Sequence, residues 1–137
     1  MSKARVLRQA AVLFASDLPK TIAYWTEKIG FDQHGIFGTP PEFAIMEYGN
    51  AFVMLRQAPP GHRIVPNWRI NEGLWNAYFW VDDVETLFKD VKRRDATIDY
   101  GLCDQFYGVR EFAVHDPDMQ SIGFGQLLSP TPAGKAA

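Results

Sequence analysis

The feature that most restricts the fold is a repetition of architecture between the two halves of the chain. An offset of 66 residues lays Asp17-Leu18 on Asp83-Val84 and Ala10 on Asn76. So short a string means little alone. What carries weight is that every element recurs in the same order and type, the mark of an internal repeat whose sequence identity has largely decayed.

Two helices anchor the repeat. In the first, Leu18, Ile22, Trp25 and Ile29 make an apolar stripe, with Lys20, Glu27 and Lys28 opposite. Ser16-Asp17 supply capping side chains, Pro19 falls in the first turn where a missing N–H costs nothing, and Gly30 suits a left-handed stop. In the second, Val84, Leu87, Phe88 and Val91 repeat the stripe between Asp82-Asp83 and Lys92-Arg93-Arg94, charges that match the helix dipole at each end. An apolar run precedes each helix, at residues 7–14 and 74–81, and reads as a strand. Strands are predicted after the first helix at 31–37, 43–48 and 51–57, the last two joined by a tight turn at Gly49-Asn50. After the second they are predicted at 98–100, 109–115 and 121–126. Each half therefore reads β-α-β-β-β. The expected class is α+β in one domain over residues 1–137: module one at 5–57, a connection at 58–73, module two at 74–127 and a flexible tail at 128–137.

Composition narrows the function. With 137 residues, 47% of them apolar, the chain is long enough to bury a core without covalent help. A single cysteine, Cys103, excludes an internal disulfide framework and any multi-cysteine zinc cage. A net charge of −2 removes the electrostatic basis for nucleic-acid binding. No membrane partner is expected, since no run of 18 apolar residues exists, and the opening Met1-Ser2-Lys3-Ala4-Arg5 has no signal-like apolar core after it; the expected location is the cytoplasm. Four Trp, with aromatics at 14%, call for either a core or a ligand.

Two strings tie these modules to a known family. Val12-Leu13-Phe14-Ala15-Ser16-Asp17-Leu18, followed by Ala23-Tyr24-Trp25 and Ile29-Gly30-Phe31, resembles the opening of the vicinal oxygen chelate superfamily, which includes glyoxalase I, extradiol dioxygenases and bleomycin-resistance proteins. Trp80-Val81-Asp82-Asp83-Val84 and Arg110-Glu111-Phe112-Ala113-Val114-His115-Asp116-Pro117-Asp118 resemble its second-half signature. Met119 stands where that signature has glycine, so a left-handed backbone there would carry strain of about 1 kcal/mol. The resemblance covers residues 5–127. It implies two βαβββ modules forming a curled mixed sheet around a shared cleft, usually completed in a homodimer.

The resemblance also locates four metal-ligand positions. They fall on Ala10, Leu55 (with Met54 next to it, the register being open by one), Asn76 and Gly123. Only Asn76 carries a donor, and a weak one, whereas a divalent transition metal takes several N, S or carboxylate ligands. The histidines His34, His62 and His115 stand in no ligand spacing with another donor. No metal and no other cofactor is expected. The layout then resembles the bleomycin-resistance branch, which sequesters an antibiotic without transforming it. The alternative is a glyoxalase- or dioxygenase-like lyase, isomerase or oxidoreductase with a non-standard metal site recruiting groups such as Glu47 or His62, or with none.

Strand alternation selects the candidate binding residues. If Asn76 faces the cleft, so do Tyr78 and Trp80, while Ala77, Phe79 and Val81 face the helices. By the same rule Ala10, Val12 and Phe14 face inward from the first strand, and Ala51, Val53 and Leu55 from the fourth. Ser121, Gly123 and Gly125 would leave room for a flat ligand. Trp68, an indole in the connection, is expected to cap a pocket or an interface, while Trp75 is expected to pack. Arg110 is placed at the cleft mouth, to meet an anionic ligand or pair with Glu111 or Asp104. The candidate site is thus Phe14, Leu55, Trp68, Asn76, Tyr78, Trp80 and Arg110, for a flat or aromatic small molecule. The competing reading is that Tyr78 and Trp80 merely fill the interior.

Overall fold

The computed structural model describes residues 2–129. The tail expected at 128–137 lies outside these residues from position 130 onward. Strand β1 (Gln9–Ala15) leads into helix α1 (Leu18–Tyr24), then strands β2 (Asp32–Phe37), β3 (Phe43–Tyr48) and β4 (Ala51–Gln57). A short helix α2 (Asn67–Ile70) interrupts the connection. The second module follows as β5 (Ala77–Trp80), α3 (Val84–Arg93), β6 (Ile98–Gln105), β7 (Val109–His115) and β8 (Ser121–Leu127).

The repeat is realised as two four-stranded mixed sheets of the same topology, β1-β4-β3-β2 and β5-β8-β7-β6. In each, the strand before the helix pairs parallel with the last strand and the other pairings are antiparallel. The helix signals act as read. Asp17 accepts from the Lys20 N–H, Asp83 accepts from the Thr86 N–H, and Gly30 stops the first helical segment at φ 92°. That segment widens into a π-helical turn over Trp25–Ile29, which seats Trp25 fully inside.

Both modules contribute to one core. Leu13, Leu55, Met46 and Phe31 from the first sheet side meet Phe79, Phe112, Ile122 and Phe124 from the second, with Leu18, Trp25, Val84 and Val91 between them. Trp25 packs edge-on against Phe31 at 4.8 Å and against Phe79 at 6.5 Å, so one indole joins the halves. Polar ties seal the seam: Gln120 Nε2 donates to the Phe14 carbonyl at 3.1 Å, and the Thr97 N–H donates to the Tyr24 hydroxyl at 3.1 Å. Because the helix-bearing faces form this core, the opposite face of each sheet looks away from it. Exposed Val12 and Phe14 mark one uncovered face, and Trp80 the other.

Four local expectations change. The strand expected at 98–100 runs on to Gln105, because alternating intermediate and exposed residues let it ride on the sheet edge, with register shifts against β7. The strand expected at 74–81 is shorter, while Asn76 N–H and Val81 N–H still bond to β8 carbonyls. Helix α2 arises after Pro66 where a plain connection was expected. Finally, Ala51, Val53 and Leu55, expected to face the cleft, turn instead to the helix side of the sheet. The parallel register sets Ala11 beside Val53 and Leu13 beside Leu55, both buried against the helices, so Phe52, Met54 and Arg56 share the uncovered face with Ala10, Val12 and Phe14.

Candidate functional site

The uncovered face of the second sheet is built on two glycines. Tyr78 pairs with Gly123 and Trp80 with Gly125 in the parallel β5–β8 ladder. A Cβ at Gly123 would lie 2.7 Å from both Trp75 Cδ1 and Tyr78 Cδ2, and one at Gly125 would fall on the Tyr78 hydroxyl. The space expected to remain open above these glycines is therefore filled by the chain's own Trp75 and Tyr78. The Tyr78 phenol lies down along β8. Trp75 and Trp80 meet its ring at interplanar angles of 65° and 63°, with centroids 4.6 and 5.0 Å away. Trp80 remains 60% exposed, so the platform ends in an indole open to solvent.

Beneath the platform lies Glu111, with no exposed surface. Its Oε1 accepts from the Tyr78 hydroxyl at 2.9 Å and the Tyr107 hydroxyl at 2.8 Å; its Oε2 accepts from the Tyr100 hydroxyl at 2.6 Å and Gln105 Nε2 at 3.3 Å. Trp75 Nε1 donates to the Tyr100 oxygen at 2.8 Å, locking the indole to the same cluster. Burial, and next the carboxylate they donate to, push the Tyr78, Tyr100 and Tyr107 phenols well above the ordinary tyrosine range. Burial and then Glu111 also push the Cys103 thiol up, which keeps it protonated and a poor nucleophile.

The sequence-derived residues disperse. Tyr78 and Trp80 sit on this platform. Phe14 lies on the uncovered face of the other sheet, its ring 5.5 Å from His62. Leu55 is buried in the core and lines no open surface; Met54 has the outward position. Trp68 donates to the Met119 carbonyl at 2.7 Å and lines a small cavity of about 170 Å³ beside Ile64 and Pro66. Asn76 is spent on structure: its oxygen accepts from the Asn67 N–H at 3.0 Å and its amide donates to Gln120 at 3.3 Å. Arg110 points to the helix side, held by Asp104 through two hydrogen bonds and by Glu85 on α3. Its expected pairing with Asp104 is present; it makes no pair with Glu111, which lies on the other face.

The four ligand positions of the resemblance do not fit a transition metal. Ala10, Leu55 and Gly123 bring no donor, Met54 in place of Leu55 brings one thioether, and the Asn76 amide is already bonded at both ends. Of the groups in the enzyme alternative, Glu47 meets His34 at 3.2 Å while His62 lies against Phe14, so they do not converge. Among the described residues no three His, Cys, Asp or Glu side chains gather for an ion.

A larger cavity, about 610 Å³, lies elsewhere: at the junction of the modules, between Tyr48, Phe31 and Phe79 on one side and Asp83 and Leu87 at α3 on the other, with Trp80 at its edge. Trp80 thus borders both the platform and this cavity. Glu111, Tyr100 and Tyr107 were missing from the sequence-derived site. The available signal was the alternation of β7, which puts Glu111 opposite Phe112 and hence on the uncovered face.

A family model described as the Glyoxalase/Bleomycin resistance protein/Dioxygenase superfamily matches residues 8–124. Solved structures share the fold. A bleomycin-binding protein from bleomycin-producing Streptomyces verticillus, complexed with copper(II)-bleomycin, is 24% identical with a TM-score of 0.67, covering 89% of this chain and 97% of its own. TnmS3, an antibiotic binding protein from Streptomyces sp. CB03234, is 21% identical with a TM-score of 0.66, covering 92% and 99%. TioX from Micromonospora sp. ML1 is 21% identical with a TM-score of 0.69, covering 88% and 98%. No curated protein sequence gives a significant match. No helix among the described residues is long and apolar enough to cross a membrane.

Proposed function

Given that this chain belongs to the Glyoxalase/Bleomycin resistance protein/Dioxygenase superfamily, we propose that it is a metal-independent binding protein that sequesters a flat, aromatic, antibiotic-like small molecule. The observation that carries this reading is Trp80, an indole 60% exposed at the end of an aromatic platform and not folded into the core. An exposed aromatic beside a second ring offers stacking area at low entropic cost, which is how a site grips a planar guest. The donor set at the superfamily's metal positions gives an ion nothing to hold, so affinity must come from contact alone. The antibiotic-binding descriptions of two fold neighbours support the same class of activity.

The working form in this proposal is a cytoplasmic homodimer. One uncovered face carries Val12, Phe14 and Phe37, all exposed, and the other carries the Trp75–Tyr78–Trp80 platform. Setting the first face of one copy against the second face of another would close a cleft over Trp80 and bury apolar area on both. Phe14 would then approach the ligand from the partner copy.

The test is a thermal-shift and tryptophan-fluorescence panel of glycopeptide, quinone and peptide antibiotics, with and without divalent ions, alongside a solution mass by light scattering. A binder at 100 times its Kd raises stability by about 2.7 kcal/mol. A panel in which nothing shifts the melting temperature or quenches the indoles overturns the reading, and a monomeric mass overturns its dimeric form.

A further inference from the structure

Glu111 is a charge buried without a counter-charge. Among the described residues its oxygens meet only hydrogen-bond donors from three phenols and one amide, and no Lys, Arg or His pairs with it. The neighbouring Arg110 is turned to the opposite side of the sheet and committed to Asp104 and Glu85. Four donors are what an acceptor-only carboxylate needs to survive burial, yet they leave its net charge in place. Core carboxylates ordinarily acquire a cation as well, since desolvation is expensive and a partner offsets it.

The three phenols also fix the polarity of the surface above. Each donates its only proton downward to Glu111, so its oxygen can present only lone pairs to a visitor. Tyr100 already accepts from Trp75, which leaves the oxygens of Tyr78 and Tyr107. The rings of Tyr78 and Trp80 add π faces, whose quadrupoles attract positive charge. Lone pairs, π faces and a buried anion all favour the same visitor.

We propose that the platform is a cation site: the ligand it takes is a flat aromatic carrying a positive charge, seated on Tyr78 and Trp80 with Glu111 below as the counter-charge. This rests on the sequestration reading and narrows it, since a flat neutral ligand would use the rings but leave Glu111 uncompensated.

The test compares N-methylacridinium, a permanent cation, with acridine, which has the same ring system and is neutral at neutral pH. Both are titrated into the full-length protein by tryptophan quenching, and into Glu111→Gln after its fold is checked by circular dichroism. The wild-type protein is expected to bind the cation about tenfold more tightly. Glu111→Gln is expected to bring that ratio close to one. Equal affinities in the wild-type protein overturn the cation site and leave sequestration standing, as does failure of N-methylacridinium to bind where an antibiotic of the panel binds. Silence from both acridines and the whole panel overturns both readings. A folded Glu111→Gln that keeps the full preference also removes Glu111 from the site. The wild-type comparison decides by itself if that variant does not fold.

Discussion

The hydroxyl of Tyr78 occupies the space that a side chain at Gly125 would need. That one relationship sets the platform: only a bare Cα on β8 lets the phenol lie down far enough to reach Glu111 at 2.9 Å. Gly125→Ala should therefore displace Tyr78, break its bond to Glu111 and tilt Trp80. Overpacking of this kind typically costs about 1–3 kcal/mol. Urea denaturation should show the loss, and ligand quenching should weaken with it. An alanine accommodated at no cost would show that the phenol has somewhere else to go.

Trp80 should behave in the opposite way. At 60% exposure its removal leaves no cavity, so Trp80→Ala should unfold at nearly the same denaturant concentration as the wild-type protein. Binding should suffer instead, by about 2 kcal/mol or roughly thirtyfold, the usual effect of truncating an anchoring aromatic. Titration of N-methylacridinium or of any antibiotic from the panel into the variant reads this directly. Unchanged affinity would take Trp80 out of the site.

Asp116 offers a pH signature remote from the platform. Burial pushes its carboxyl up to about 6, against the backbone N–H groups of Asp118 and Gln120 and the Gln120 side chain that donate to it. The unfolded chain gives up that proton near pH 4, so between about pH 4 and about pH 6 the folded state binds more protons than the unfolded one. This group's contribution to stability is full below that window and declines as pH rises through it. Asp116→Asn cannot titrate and cancels the other groups. The wild-type advantage over Asp116→Asn should shrink by on the order of 2 kcal/mol between about pH 4 and about pH 7. A difference that stays flat with pH would contradict a raised carboxyl.

What the sequence could disclose depended on contrast between neighbouring positions. Helix α3 was legible because Val84, Leu87 and Val91 stand out from charged neighbours. The faces of β5 were legible because Ala77, Phe79 and Val81 are purely apolar while Tyr78 and Trp80 carry a polar tip. In β4 the run from Ala51 to Leu55 is apolar at every position, so alternation has nothing to grip and the face of Leu55 came out reversed. Only the pairing of Leu13 with Leu55 decides it. Glu111 was hidden for a different reason. Its phenol partners lie 33, 11 and 4 positions away, and no local pattern announces a cluster assembled across β5, β6 and the β6–β7 turn.

Met119 gives the prediction that joins sequence to backbone most directly. The sequence placed it where the superfamily's signature has glycine, and the structure gives it a φ of 63°, in the left-handed region. Its N–H donates to the Asp116 carbonyl and its carbonyl accepts from Trp68, so the turn is held from both sides and the strain cannot relax. The side chain is 48% exposed and contributes little packing. Met119→Gly should remove a left-handed penalty of about 1–2 kcal/mol and add back part of that in unfolded-chain entropy, for a net gain of about 0.5–1 kcal/mol. Met119→Ala is the control, since it trims the side chain equally but keeps the Cβ, and it should gain nothing. Chemical denaturation of the two variants side by side separates relief of backbone strain from loss of the thioether, and equal stabilities would mean that the turn was never strained.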